Sequence, residues 1–499
     1  LCLSNPELRK VVLENFRKYI EKADGEAKAK GEEPPLFYDF SMNDNFTACQ
    51  CPECLKFVAE KGTQTDLTID FLNFLAADLA TFRPGKFLTS LAYMYNEELP
   101  KTVKPAENIY FFLCDGQSDQ GNFDRFPSNQ AWLKRVADWG KLASGVLIWD
   151  YSVLYNDVSD LPLPSEYTYP DLMRYYADHG VKGVYWEHEF RDRGDMHELK
   201  HYLELKYMAD PYRTDFDALL NDFMTNFYGA AAPHILNYRR MLKKSAEKPR
   251  YTFNYDLSNA PWVDYITLDE MLAMQEALNQ AEVAVAADPT LSLRVKRARL
   301  PLDRLFSLEL PHVYMAEWEA RGKKAADFPI DLKAMQKKTM ALLESENAKL
   351  PARDVWYQRL HNKLAPIAAM PGIMTGPAKF KGQKIVDVPP QHIICSGAAK
   401  LAPMPDAEGG YAIQITVPEG SKLYNNPLLV GFYNRKSGKE YAPKRIKIEN
   451  PGQFAWYNIG TVKTEEWTRM FITESWNVNF YLTGQEGHTF DWWINAKVD

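Results

Sequence analysis

The sequence predicts an α/β protein: a (β/α)8 TIM-type barrel, then a helical region and a C-terminal β-sandwich. In residues 1–190, short apolar runs alternate with amphipathic stretches of helical period, and apolar runs without strict alternation are typical of parallel strands buried on both faces. Almost every run ends in acidic or amide side chains, which suits a barrel because all its strands end at one mouth. In residues 385–499 the apolar period changes to two, which indicates a sandwich. An open doubly wound sheet is the alternative for the strand–helix units.

Six strands are predicted in the barrel region. They are residues 1–4, 36–43, 87–95, 109–115, 145–151 and 181–187. Helical patterns lie between them, as at residues 66–82 and 129–142. Because a barrel has eight strands, residues 1–190 are expected to supply strands three to eight, and a preceding segment of the same polypeptide the first two. Ser4 or Asn5 is expected to cap the first helix, with Pro6 at its first position.

Helical patterns dominate residues 191–370, which are expected to pack on the barrel. The clearest are residues 217–228, 234–244, 268–287 and 332–350, with Gly229 in the position of a C-cap. A segment rich in Gly, Pro and Lys follows, and the predicted strands of the sandwich are residues 411–417, 428–433, 445–448, 470–474, 479–483 and 490–496. Five of the twelve Trp residues lie in this last region. A carbohydrate-binding platform is one interpretation of these rings, and a packed core is the other.

The composition excludes several classes of protein. A chain of 499 residues is too long for one core, and its hydrophobic share of 46% argues against wholesale disorder. The net charge of −7 argues against a nucleic-acid partner, which would require a basic face. A membrane span is not expected, because no apolar run approaches the ~20 residues that cross a bilayer.

Asp44 and Glu187 are the candidate catalytic residues. Asn43-Asp44 ends the second predicted strand, and Glu187 ends the sixth. Two carboxyl groups across a barrel mouth suit glycoside cleavage, in which one of them protonates the leaving oxygen. An Asx-turn is the alternative for Asn43-Asp44, and a salt bridge at the rim is the alternative for Glu187.

Other polar and aromatic side chains at strand ends are candidate sugar-binding residues. They are Asn43, Glu98, Asp115, Trp149, Asp150, Tyr151 and Trp186. Strand alternation places Trp186 on the opposite face from Glu187. No Gly-rich phosphate loop, H-E-x-x-H or G-x-S-x-G motif is present, so no catalytic cofactor is expected.

Cys49, Cys51 and Cys54 form a C-x-C-x-x-C cluster directly after Asn43-Asp44. Three thiols at this spacing suit a structural zinc site with a fourth donor from elsewhere. Cys2 is one candidate for that donor, or for a disulfide partner. A disulfide with a buried thiol is the alternative in an oxidising compartment. In either case the cluster is expected to hold the loop beside Asp44.

Several short motifs, in this order and spacing, resemble glycoside hydrolase family 163. They are Leu1-Cys2-Leu3-Ser4-Asn5-Pro6-Glu7, Ser41-Met42-Asn43-Asp44, Cys49-Gln50-Cys51-Pro52-Glu53-Cys54, Leu91-Ala92-Tyr93, Ile148-Trp149-Asp150-Tyr151, Gly183-Val184 with Glu187, and Phe227-Tyr228-Gly229-Ala230-Ala231. The resemblance implies a (β/α)8 barrel from gut-type Bacteroidetes, secreted to the periplasm or cell surface. It also implies an endo-β-N-acetylglucosaminidase that cuts the chitobiose core of complex N-glycans.

The mechanism implied by the resemblance is retaining hydrolysis assisted by the acetamido group of the substrate. The resemblance assigns the two catalytic tasks to Asp44 and Glu187 and leaves open which of them is the acid. It assigns the positioning of the sugar to Asn43, Tyr93 and Tyr151. The expected partner is therefore a glycan or glycoprotein. Two other functions stay open: a hydrolase of the same architecture for another glycan, such as one containing uronic acid, and a non-catalytic surface glycan-binding protein.

Overall fold

The structure is a computed structural model that describes most of the first 347 residues and parts of the remainder. The described residues are 1–43, 47–116, 118–151, 161–187, 194–248, 265–347, 361, 364–365, 367–368, 393–395, 399–403, 411–415, 428–434, 440–448, 452–463, 468–472, 476–480 and 489–498. Asp44 therefore lies outside the described residues. Among the described helices, none combines the length and the apolar character that a membrane span requires.

A parallel sheet of five strands occupies the first region. Its strands are β1 (Phe37–Asp39), β2 (Phe87–Ala92), β3 (Ile109–Cys114), β4 (Gly145–Tyr151) and β5 (Val181–Glu187). They lie in sequential order, and each neighbouring pair is parallel. This order lacks the reversal of a doubly wound sheet and is that of part of a barrel wall. The α/β class is confirmed, with five parallel strands among the described residues.

The predicted strand at residues 1–4 is wrong. These residues form a turn in which the Asn5 amide donates to the Cys2 carbonyl at 3.1 Å. The turn leads into α1 (Pro6–Lys30), whose N-cap is Asn5 and whose first residue is Pro6, as predicted. Two leucines are too few to specify a strand, and Leu1 is 78% exposed. The side chains of Cys2 and Ser4 turn instead toward the cysteines that follow β1.

Helices cover one face of the sheet. After α1 come α2 (Pro52–Lys61), α3 (Gln64–Phe82), α4 (Pro127–Leu142) and α5 (Tyr169–Asp178). Thr63 and Asp66 form the capping box of α3, and the carboxylate of Asp66 also accepts hydrogen bonds from the backbone amides of residues 101–103. Leu88, Phe111 and Ile148 of the sheet are buried against these helices.

Seven further α-helices follow the sheet within the described residues and share its hydrophobic core. They are α6 (His197–Ala209), α7 (Phe216–Tyr228), α8 (Ala232–Ala246), α9 (Leu268–Ala284), α10 (Pro289–Arg304), α11 (Pro311–Ala320) and α12 (Leu332–Asn347). The four helical patterns identified in the sequence all fall on helices. Gly229 ends α7 with a φ of 55°, which a residue without a side chain adopts readily.

In the described parts of the last region, nine strands form two sheets. They are β6 (Ile393–Cys395), β7 (Ala399–Pro403), β8 (Tyr411–Ile415), β9 (Leu428–Asn434), β10 (Glu440–Ile446), β11 (Phe454–Lys463), β12 (Thr468–Ile472), β13 (Trp476–Phe480) and β14 (Thr489–Val498). The sheet orders are β10-β9-β12-β13-β6 and β11-β14-β8-β7. The two sheets share one core, in which the rings of Phe432 and Trp492 lie 5.1 Å apart. All six predicted strands overlap observed ones, whereas β6, β7 and β11 were not predicted.

The opposite face of the parallel sheet carries aromatic rings, most of which are only partly buried, although Tyr151 is buried. The ring-bearing residues that strand register places on this open face are Phe37, Phe87, Tyr110, Phe112, Trp149, Tyr151 and Tyr185. Among the described residues Phe37 and Tyr185 remain 38% and 49% exposed. In a (β/α)8 barrel the helices lie outside, and this face would line the interior.

Candidate functional site

Glu187 and Trp149 meet at the carboxyl end of the parallel sheet. The Trp149 Nε1–H donates to Glu187 Oε2 at 2.9 Å, and the Tyr185 ring centroid lies 4.5 Å from that of Trp149. Register pairs Trp149 with Tyr185 and Tyr151 with Glu187, so these four side chains share the open face. The result is a carboxylate fixed at the edge of an aromatic surface.

Three other residues predicted to bind the sugar follow strands β1 and β2 at the carboxyl end of the sheet. Tyr93 directly follows β2, two residues beyond Leu91 of the open face, and its amide donates to Asn96 Oδ1 at 2.9 Å. Asn43 is exposed four residues beyond the end of β1. Glu98 is exposed too, just after a short 3-10 turn. Their assignments stay predictions, as does that of Asp44.

Asp39 is a carboxylate on the open face that the sequence interpretation missed. Its Oδ1 accepts hydrogen bonds from Thr89 Oγ1 at 3.0 Å and from Ser41 Oγ at 2.8 Å. The Ser41 oxygen in turn accepts from the Leu91 amide at 3.1 Å. Alternation places Asp39 on the same face as Phe37, whereas the predicted carboxylate, Asp44, belongs to the consecutive Asn-Asp pair further along the chain.

Asp115, Asp150 and Trp186 lie on the helix side instead. Register pairs Asp150 with Trp186, and together with Asp115 they line a cavity of about 30 Å³ between the sheet and α4 and α5. That volume is large enough for a water molecule and too small for a sugar ring. The predicted sugar-binding residues are thus divided between the two faces of the sheet.

Asp150 anchors a buried hydrogen-bonded chain beside this cavity. Tyr176 OH donates to Asp150 Oδ2 at 3.0 Å, and Trp132 Nε1–H donates to Tyr176 OH at the same distance. Burial, and secondarily the nearby charge of Asp115, raise the pKa of Asp150 to about 8. Burial therefore favours the protonated form of the Asp150 carboxyl group. Asp115 itself accepts from the amide and the hydroxyl of Ser118.

A buried ionic network holds the segments that follow β4 and β5. Arg239 of α8 donates to both carboxylate oxygens of Glu166 at 2.8 Å and to those of Asp195 at 2.8 and 2.9 Å. It also reaches the Leu163 carbonyl at 3.1 Å, and the Leu163 amide donates to Asp195. Lys200, also buried, lies 3.6 Å from Asp195, and bonds of this kind offset part of the cost of burying four charges. No local sequence signal marks these residues, because they are separated by tens of positions.

The predicted cysteine cluster gains a fourth member in the structure. Cys2 joins Cys49, Cys51 and Cys54, and their four sulfur atoms all lie within 4.8 Å of one another. No disulfide joins the described cysteines. This cluster is the candidate metal centre of the described chain.

Comparison with known protein families finds a match, which lies in the first half of the chain. Residues 1–240 match a family model described as a domain of unknown function, DUF4838. A comparison with curated proteins finds no match. Neither result speaks to glycoside hydrolase family 163.

Solved structures of a family 89 glycoside hydrolase from Clostridium perfringens are distantly similar to this chain. Its complexes with 2-acetamido-1,2-dideoxynojirmycin and with PUGNAc each give a TM-score of 0.37 at 11% sequence identity. The similarity covers 71% of this chain and 40% of that chain. The chain thus matches less than half the length of those proteins, and at this TM-score the likeness carries no argument about function.

Proposed function

We propose that this chain is part of a retaining glycoside hydrolase that cleaves glycans containing N-acetylglucosamine. The observation that supports the proposal is the Glu187 carboxylate, held by the Trp149 indole at the carboxyl end of a parallel sheet. In parallel α/β folds ligands bind at that edge. A positioned carboxyl group is the element that glycoside cleavage requires.

The aromatic open face supports a carbohydrate substrate. Binding sites for small ligands are lined by apolar and aromatic side chains with a few polar groups that fix orientation. Trp149 and Tyr185 supply rings beside Glu187, and the buried Tyr151 pairs with Glu187 in the sheet register. The flat apolar faces of a pyranose match such rings, and its hydroxyl groups match carboxylate and phenol oxygens.

We place the five strands in a (β/α)8 barrel whose interior is the open face. Sequential parallel order and helices on one face support this placement. The remaining strands are expected from polypeptide outside the described residues. In a closed barrel the rings of the open face would be covered, and the strand ends would form one mouth.

Within that barrel, the proposed reaction is endo-cleavage of the chitobiose core of N-glycans. The acetamido oxygen of the substrate attacks the anomeric carbon, one carboxyl group orients the amide, and the other protonates the leaving oxygen. Glu187 and Asp44 would share these two tasks, and the Trp149 N–H would fix the orientation of the Glu187 carboxylate. Asn43, Tyr93 and Tyr151 complete the proposed site. No cofactor is required, and a periplasmic or cell-surface location suits a glycoprotein substrate.

The test is mass spectrometry of glycans released from a complex N-glycoprotein by the full-length protein. The intact protein is expected to release oligosaccharides ending in a single N-acetylglucosamine. Glu187→Gln is expected to lower the rate by a factor of about 10²–10⁴, the usual contribution of a general acid or base. Glu107→Gln is the matched control, because Glu107 is exposed just before β3, at the opposite edge of the sheet.

Two results would contradict the proposal at different levels. Full activity of a folded Glu187→Gln variant would be consistent with the proposed reaction but would show that Glu187 does not catalyse it. No release by the intact protein, under conditions where a known endoglycosidase acts, would refute the N-glycan substrate. The same preparation would then be tested on uronic-acid-containing and other polysaccharides.

A further inference from the structure

We propose that Cys2, Cys49, Cys51 and Cys54 bind one zinc ion as a tetrathiolate site. The four sulfur atoms lie within 4.8 Å of one another although the chain brings them from two separate segments. Four thiols around one point are the donor set of a closed structural zinc site. This inference does not depend on the proposed glycosidase activity.

The sulfur separations fit a shared ion. Cys2 Sγ lies 3.4 Å from Cys51 Sγ and 3.8 Å from Cys54 Sγ. Tetrahedral coordination with Zn–S bonds of about 2.3 Å places the sulfurs about 3.8 Å apart. A disulfide would bring one pair of sulfur atoms to about 2.05 Å. It would not explain why the other two sulfur atoms lie close to that pair.

Neighbouring groups are arranged to support thiolates. Cys51 is the N-cap of α2, and the Cys54 amide points at its sulfur from 3.5 Å. The Ser4 hydroxyl lies 3.1 Å from Cys54 Sγ. Donors of this kind orient metal ligands, and the amino end of a helix favours the net negative charge of a zinc tetrathiolate.

The topology gives this site a structural task. Cys2 precedes α1, whereas the other three cysteines follow β1 and begin α2. Because α1 leads directly into β1, its amino end lies near the edge where the strands end. A zinc ion would therefore cross-link the amino ends of α1 and α2 and hold the segment after β1, which carries Asn43. Four protein ligands leave no open position for catalysis.

The first test measures metal content of the full-length protein, purified without a metal-affinity step. Elemental analysis and native mass spectrometry are expected to find one zinc ion per chain. Cys49→Ser and Cys54→Ser are each expected to abolish stoichiometric zinc. Cys114→Ala is the matched control, because Cys114 is a buried free cysteine in β3 and does not belong to the cluster. Zinc that persists in both serine variants would overturn the ligand assignment.

A second measurement covers the case in which the variants do not fold. The intact protein is treated with a strong chelator, reloaded with Co²⁺, and followed by its absorption spectrum. A tetrathiolate site is expected to give thiolate-to-cobalt charge-transfer bands and the bands of tetrahedral cobalt. Their absence would overturn the proposal. So would stoichiometric iron in the protein as purified, or a mass showing that these cysteines are joined in disulfides.

Discussion

The carboxyl group of Asp150 should make the folded protein less stable as the pH rises, and Asp150→Asn should remove this effect. Asp150 is 7% exposed, and its pKa rises from an ordinary value of 3.8 to about 8, chiefly through burial. Between these values the unfolded chain has released its proton while the folded protein retains it. The folded state then binds more protons, so stability falls as the pH increases.

The size of the effect follows from the width of that window. Each pH unit inside it corresponds to about 1.4 kcal/mol for one group. From pH 5 to pH 7 the wild-type protein should therefore lose about 3 kcal/mol relative to Asp150→Asn. Asparagine has nearly the same shape, and its amide oxygen can still accept the hydrogen bond from Tyr176 OH that Asp150 accepts at 3.0 Å.

The assay is urea-induced unfolding of both proteins at pH 5, 6 and 7. The measured quantity is the difference between their free energies of unfolding, in which titrating groups that do not interact with Asp150 cancel. Asp124→Asn, at an exposed position in the connection between β3 and α4, reports the effect of the substitution itself. A difference between wild type and Asp150→Asn that stays constant over this pH range would refute the reasoning.

Two further substitutions test the open face. Gly145→Ala should lower the thermal midpoint, because an added Cβ would overlap the Tyr110 ring and overpacking costs about 1–3 kcal/mol. The control is Gly25→Ala in α1, where a Cβ meets nothing within 4 Å. That variant should be more stable than the wild type by up to about 1 kcal/mol. An unchanged midpoint for Gly145→Ala would contradict the ring placement. Trp149→Phe removes the N–H donor to Glu187 and should lower kcat on a glycan substrate about 10-fold. A folded variant with unchanged kcat would exclude this hydrogen bond from the reaction.

The helices and strands that could be predicted are those in which the spacing of apolar residues repeats several times. The strands from β2 to β5 and helices such as α3 follow from apolar spacing over six or more residues. The cap at Asn5 follows from local hydrogen bonding that involves only neighbouring residues. Residues 1–4 were misassigned because two leucines carry no period, and long-range contacts of Cys2 decide their conformation.

The candidate site could be predicted only in part, because the sequence pattern of a strand does not distinguish its two faces. Alternation shows that Trp149 and Asp150 point to opposite faces of β4, but not which face the helices cover. That choice depends on contacts with distant helices such as α4 and α5. For this reason the sequence grouped Asp150 with Glu187, whereas the structure places Asp150 behind the sheet against Tyr176.

The buried Arg239 network connects the helical region to the candidate site. Fully buried charges are costly, and hydrophobic residues of similar volume would often stabilise a fold as well. Here Arg239 of α8 binds Glu166 and Asp195, which lie in the segments after β4 and β5. Those strands end in Tyr151 and Glu187, so the network anchors two residues that lie further along the chain from the proposed catalytic edge. It follows that α8 belongs to the framework of these segments, because its removal would take both ion-pair bonds from the buried Glu166 carboxylate and leave Asp195 with its pairing to Lys200 at 3.6 Å.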